Sequence, residues 1–240
     1  RFEVRTGTPP AEAKGGTKLA RGANFRCLMS GVPIEPAYIK AEGAAGRMGA
    51  RLMAIVAEGA RGRVYLAPTA EHEAIAQQAQ PSWKPETALP DDPRNFWTLA
   101  YGLTTWGDLF TPRQLVALTT FSDLVPEAIA RVRADALAAG MPDDGRGLDA
   151  GGTGATAYAE AVGVYLGLAV DKTTDYNSSL VAWSPTRDQA KTTFGRQALP
   201  MVWDYAEINP MAGAAGDLDV SVGGICRTLS ALGSHQRGAA

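Results

Sequence analysis

The run RLMAIVAEGARGRVYLAPTAEHE, residues 51–73, decides the fold class, because it passes from strand chemistry to helix chemistry within one short stretch. Arg51–Ala57 and Gly62–Ala67 are β-prone segments flanking Glu58-Gly59-Ala60-Arg61, a pattern that predicts a hairpin. Pro68 has no amide to give a ladder and ends the second strand. Thr69 then offers a side-chain cap, and Glu71 and Glu73 place negative charge at the positive end of a helix predicted to run to about Gln80. A helix leaning on a hairpin is an α+β unit.

Toward the C-terminus, residues 81–105 hold Pro81, Pro85, Pro90 and Pro93 together with Trp83, Phe96, Trp97 and Tyr101. The prolines exclude a regular helix while the rings require burial, which predicts a long linker packed over a neighbour and a boundary between two lobes. Thr111-Pro112 is a cap followed by proline where a helix tolerates it best. Leu115, Leu118, Phe121, Leu124, Val125, Ile129 and Val132 then recur at helical spacing to about Ala139, with a kink expected at Pro126. Tyr158, Val162, Tyr165, Leu166, Ala169 and Val170 mark a second helix over 156–175, joined to the first through MPDDGRGLDAGGTG (141–154) as an antiparallel pair. GRQALPMVWDYAE (195–207) reads as a third helix despite Pro200. A last helix over 218–232 is weakened by Gly223 and Gly224, and GSHQRGAA (233–240) is expected to fray.

Toward the N-terminus, Arg1–Arg5 reads as a strand already in progress with Phe2 and Val4 on one side, so the chain reads as cut from something longer. Residues 6–23 read as a mobile Gly/Pro-rich excursion. Asn24–Ile34 then approaches Cys27 and turns at Gly31, and Cys27-x-x-Ser30-Gly31 has the form of a zinc knuckle whose second thiolate is replaced by Ser30. The expected fold is α+β. A small N-terminal β lobe (1–80) combines a degenerate zinc-ribbon-like segment, the hairpin and a short helix. The linker (81–105) follows, and then a helical lobe of three to four helices (106–240).

A hydrophobic fraction of 45% supplies a core and argues against disorder. There is no basic leader before an apolar stretch and no apolar run of the roughly 20 residues that a membrane span needs. Cys27 and Cys226 are too few and too far apart for a disulfide framework, which favours a reducing, cytoplasmic compartment. The formal net charge of −2 conceals a segregation: residues 1–63 carry eleven Lys/Arg against five Asp/Glu, residues 64–240 twelve against twenty. A basic lobe of this kind could sit on phosphates, but the solvated surface of an ordinary domain is the first reading.

Sites of chemistry are sparse. Gly151-Gly152-Thr153-Gly154 precedes a helix but lacks a P-loop lysine, a preceding strand and dinucleotide-fingerprint spacing, and reads as a loop tip. Asn209-Pro210-Met211 resembles half of an amino-methyltransferase signature but lacks its second proline and aromatic ring, and reads as an ordinary helix-stop turn. Cys27 has no second ligand at zinc spacing, since His72, Cys226 and His235 lie elsewhere, so the metal assignment is none, with Cys27 as a residual ligand. No Ser-His-Asp or Cys-His arrangement can be built. Asn177, Trp203, Asp204 and Glu207 read as a buried polar network or a binding surface.

Three strings, YIKAEGAAGRMGARLMAIVAEGARGRVYLAPTAEHE (38–73), YGLTTWGDLFTPRQLVALTTFSDLV (101–125) and TTFGRQALPMVWDYAEINP (192–210), carry a likeness to a known family. Together they resemble the central part of the large predicted adenine-specific DNA methylases that carry a zinc ribbon. The resemblance implies an insert lying between an upstream S-adenosylmethionine loop and a downstream Asp-Pro-Pro-Tyr motif. No catalytic residue and no cofactor would then belong to this segment, with S-adenosylmethionine bound by the parent protein. It also implies two cysteine pairs of which Cys27 alone remains. Two roles follow. The segment supports DNA binding, with Arg47, Arg51, Arg61, Arg63, Arg113 and Arg196 as candidate contacts, or it is a non-catalytic scaffold. As a scaffold it would dock the flanking methyltransferase halves or a companion ATPase or helicase, the aromatic linker being the motive.

Overall fold

The computed structural model describes residues 2–233 and has the mixed helix and antiparallel-strand content of an α+β fold. The chain divides into two compact units, one of residues 1–79 and 87–108, the other of residues 80–86 and 109–240. The stretch 81–105, expected as a linker, is thus shared between them.

In the first unit, β1 (Phe25–Arg26) and β2 (Pro33–Ile34) form a small antiparallel pair, with Phe25 opposite Ile34. Lys18 bridges Phe25 on the other edge of β1, so three short segments lie side by side. Pro36, placed where its missing amide costs nothing, opens α1 (Pro36–Ala44), a helix absent from the sequence-based expectations. The hairpin forms as β3 (Ile55–Gly59) and β4 (Gly62–Leu66), starting four residues later than expected and turning through Ala60 and Arg61, with Gly62 at φ 124°. Thr69 caps α2 (Ala70–Ala76), which ends short of Gln80.

Residues 2–10 form no strand. Neither Phe2 nor Val4 has a ladder partner, and Arg5 folds back on Glu3 at 3.0 Å. In the returning segment a 3-10 turn, Trp97–Tyr101, buries Tyr101 and Thr98, and Phe96 packs edge-on against Trp106 at 6.3 Å. Those rings are therefore engaged within their own unit. This turn meets α1 backbone to backbone: a Cβ on Gly43 would stand 2.6 Å from the Tyr101 carbonyl oxygen.

In the second unit, Thr111 and Gln114 exchange hydrogen bonds in a capping box that starts α3 (Pro112–Ala138), and Pro126 lies within it. α4 (Ala155–Tyr176) runs antiparallel to α3, since Ile129 meets Gly163 while Arg133, further along α3, meets Thr156, earlier in α4. Ser179 donates from both its amide and its hydroxyl to the Leu109 carbonyl at 2.8 Å, closing the pair at its other end.

Residues 195–207 are not helical, contrary to expectation. Pro200 cannot donate the bond a helix needs there, and the chain instead pairs outward, with Ala206 N–H donating to Val181 at 2.7 Å and Tyr205 bridging Ala182. A short hairpin, β5 (Trp183–Ser184) with β6 (Gln189–Ala190), precedes it. α5 (Leu218–Gly233) forms in spite of its two internal glycines and packs on α4. The end beyond residue 233, expected to fray, lies outside the described residues, as does His235.

Substituting Gly43→Ala is expected to destabilise the protein by about 1–3 kcal/mol, because the added methyl meets backbone that cannot yield. Gly167→Ala, where a methyl would meet nothing within 4 Å, is expected to gain about 0.5–1 kcal/mol from helix propensity. Urea unfolding of both variants measures the contrast.

Candidate nucleic-acid interface

The turn at Cys27 is built by its own backbone. Cys27 N–H donates to Val32 at 2.8 Å, Gly31 N–H donates to Cys27 at 2.9 Å, and Gly31 takes φ 73°, which favours glycine. The Ser30 hydroxyl, followed by the backbone amides of Ser30 and Met29, draws the Cys27 thiol below its ordinary pKa. One thiol with a hydroxyl in place of its partner does not fit tetrahedral zinc. Among the described residues no group of three or more His, Cys, Asp or Glu gathers at a metal-binding distance.

Around this turn the charge is one-sided. Lys18 sits over the Phe25 ring at 5.6 Å, and Arg21 and Arg26 are exposed without a carboxylate partner among the described residues. Sequence reasoning passed over these three cations. The signal was present all the same, because no Asp or Glu lies between Glu12 and Glu35.

The six arginines singled out from the sequence meet different fates. Arg47 forms a two-pronged pair with Glu42 at 2.7 and 2.8 Å, and hydrogen bonding to Arg47 holds Glu42 below the usual carboxylate range. Arg51 pairs with Glu73 at 3.3 Å. Arg113 pairs with Glu207 at 2.8 Å. Arg63 stands opposite Glu58 in the hairpin ladder. Arg61, at the hairpin turn, and Arg196, in the loop after β6, are exposed and free of carboxylates among the described residues. Arg113 and Arg196 belong to the second unit and the other four to the first.

The members of the proposed polar group each have their own surroundings. Asn177 is buried and donates to the carbonyls of Thr173 and Gly216 at 2.8 and 2.9 Å, tying the end of α4 to the approach of α5. Glu207 accepts from Arg113 and, at 3.4 Å, from the Thr111 hydroxyl. Burial, and then the charge of Glu207, pushes the Tyr205 hydroxyl upward. Trp203 is half-buried and Asp204 exposed.

Other motifs are consumed by the fold. Asp143 accepts from the Thr156 amide at 3.1 Å, the Thr156 hydroxyl at 2.8 Å, Arg133 at 2.9 Å and the Gly145 amide at 3.2 Å. The start of α4 behind the glycine cluster therefore already holds a carboxylate. A Cβ on Gly152 would collide with the Arg146 carbonyl, so the glycine there serves close packing of the connection. Asn209 accepts from the Met211 amide at 3.0 Å in a local turn. His72 completes the Thr69 cap through Nδ1, and Cys226 is exposed on α5. A cavity of about 410 Å³ beside Phe2 has its polar wall already paired, with Glu73 accepting from Arg51 and the Leu52 amide. Among the described residues no helix is long and apolar enough to cross a membrane.

No protein-family model, curated protein or solved structure matches this chain.

The four donors on Asp143, led by Thr156, hold its carboxyl well below the ordinary aspartate value. Its contribution to stability is therefore complete above the unfolded pKa, about 3.9, and is lost as the pH falls below it. Asp143→Ala is expected to lower the urea midpoint at pH 7, with the gap to wild type narrowing below about pH 4. Parallel unfolding curves from pH 2 to 7 provide the check.

Proposed function

We propose that this chain is the internal, non-catalytic insert of an S-adenosylmethionine-dependent DNA adenine methyltransferase, and that its first unit grips duplex phosphates. The observation that carries the DNA reading is the set of cations around the Cys27 turn, Lys18, Arg21 and Arg26, none paired with a carboxylate among the described residues. Ion-paired arginines must give up a partner before meeting a phosphate, whereas these three need only release water and counterions. Arg61 at the hairpin turn adds a fourth cation of the same kind. The methylase assignment rests on the three sequence strings. A glycine loop and an Asn-Pro turn whose hydrogen-bonding groups are used internally fit a segment that leaves the catalysis to its parent. The parent would bind S-adenosylmethionine, and the adenine amine would be the acceptor.

A scaffold role is favoured by a different feature. Tyr158, Val164, Tyr165 and Leu168 leave an apolar stripe exposed on α4, in the second unit. The half-exposed Trp83, which donates to Asp123 at 3.2 Å, and Trp97 are what remains of the aromatic motive. On this reading the flanking methyltransferase halves, or a companion ATPase or helicase, would cover the stripe.

Titrating the whole chain with a mixed-sequence duplex at rising salt separates the two. For DNA binding, log K should fall linearly with log salt, and Lys18→Ala, Arg21→Ala and Arg26→Ala together should flatten the slope by about three. Arg47→Ala should change it by much less. Absence of binding, or binding indifferent to salt, defeats the DNA reading.

A further inference from the structure

The Cys27 turn follows Lys18, Arg21 and Arg26 and carries, in Met29 and Leu28, the two most exposed large apolar side chains among the described residues of its unit. Met29 is 95% exposed, Leu28 77% and Val32 57%. Three features of the chain place them. The Cys27 and Gly31 hydrogen bonds fix the loop, the Phe25/Ile34 and Arg26/Pro33 pairs fix its base, and Lys18 lies beside Phe25 one residue behind Arg26. Leu28 and Met29 therefore stand at the end of a small three-segment sheet that is basic on its Lys18 edge and at Arg26 of its central strand. Apolar side chains on a short turn, backed by Lys and Arg, match what enters a minor groove: the cations meet the phosphates that line the groove and the apolar tip parts two stacked bases.

We propose that Leu28 and Met29 form a wedge that inserts between base steps of the duplex and bends it. The proposal deepens the DNA-binding reading and rests on it. Charge complementarity selects the partner, because the rim is cationic and acid-free from residue 13 to residue 34. An anionic membrane surface offers the same sign of charge but no base stack. The aim of such a device in a protein acting on a base is also chemically direct, since unstacking lowers the cost of extruding the target nucleotide.

The test uses the whole chain and a duplex carrying 2-aminopurine and a pair of end-attached fluorophores. Wild type is expected to raise the 2-aminopurine emission and to shorten the end-to-end distance. The double variant Leu28→Ser, Met29→Ser is expected to bind about tenfold more weakly, with an unchanged salt slope, and to lose both optical signals. Leu28→Met, Met29→Leu should restore them. Because both positions point to solvent, circular dichroism of the variants should match wild type. Wild-type binding to DNA without either signal, or signals that survive the serine variant, overturns the wedge while leaving the phosphate contacts standing. Failure of wild type to bind any duplex defeats the underlying DNA reading. Partition of wild type, through Met29, onto phosphatidylserine vesicles with the duplex left unperturbed also overturns the wedge.

Discussion

The carboxylate of Asp143 organises the helical unit. It sits in the connection between α3 and α4, caps α4 through both donors of Thr156, and receives Arg133 from α3. One group therefore sets where α4 begins and fixes its distance from α3. Its side chain is only 11% exposed, so water competes poorly for the same donors. The small residues around it follow from this arrangement: Gly154 and Gly152 lie against backbone with no room for a Cβ, and Gly163 admits Ile129. A connection so filled is a structural clasp.

The first unit is organised differently. Its regular elements are short, and its tightest contact is the meeting of α1 with the 97–101 turn at Gly43 and Gly102. Away from that contact, one hairpin ends in a turn that exposes Leu28 and Met29 just after Arg26, and the other turns through Ala60 and Arg61. Where carboxylates are near, the cations are neutralised locally, as Arg47 by Glu42 and Arg51 by Glu73. Where sequence removes the carboxylates, as around Cys27, the charge remains available. Functional potential is thus set less by the number of arginines than by which of them have a neighbour to satisfy.

Much of the architecture was legible because it is written in local chemistry. Thr69 and Thr111 announce their helices through side-chain caps, Gly59 to Gly62 fixes a hairpin, and the apolar spacing of α4 places its ends within a residue or two. The failures are non-local. Residues 195–207 have acceptable helix formers, yet the edge offered by Val181 and Ala182, together with Pro200, draws them into extended pairing. Residues 1–5 look like a strand, but β structure needs a partner that no sequence window reveals. The candidate site divides in the same way: Arg113 and Glu207 are nearly a hundred positions apart, so their pairing was invisible, while the acid-free run around Cys27 was in plain view.

The chain crosses between its two units three times, near residues 79, 86 and 108. No single cut can therefore release either unit intact. Stopping the chain at residue 80 strips the first unit of the turn that packs on α1, and starting it at residue 87 removes Trp83 from its bond with Asp123. The two units are obliged to be inherited, shuffled or transplanted as one piece.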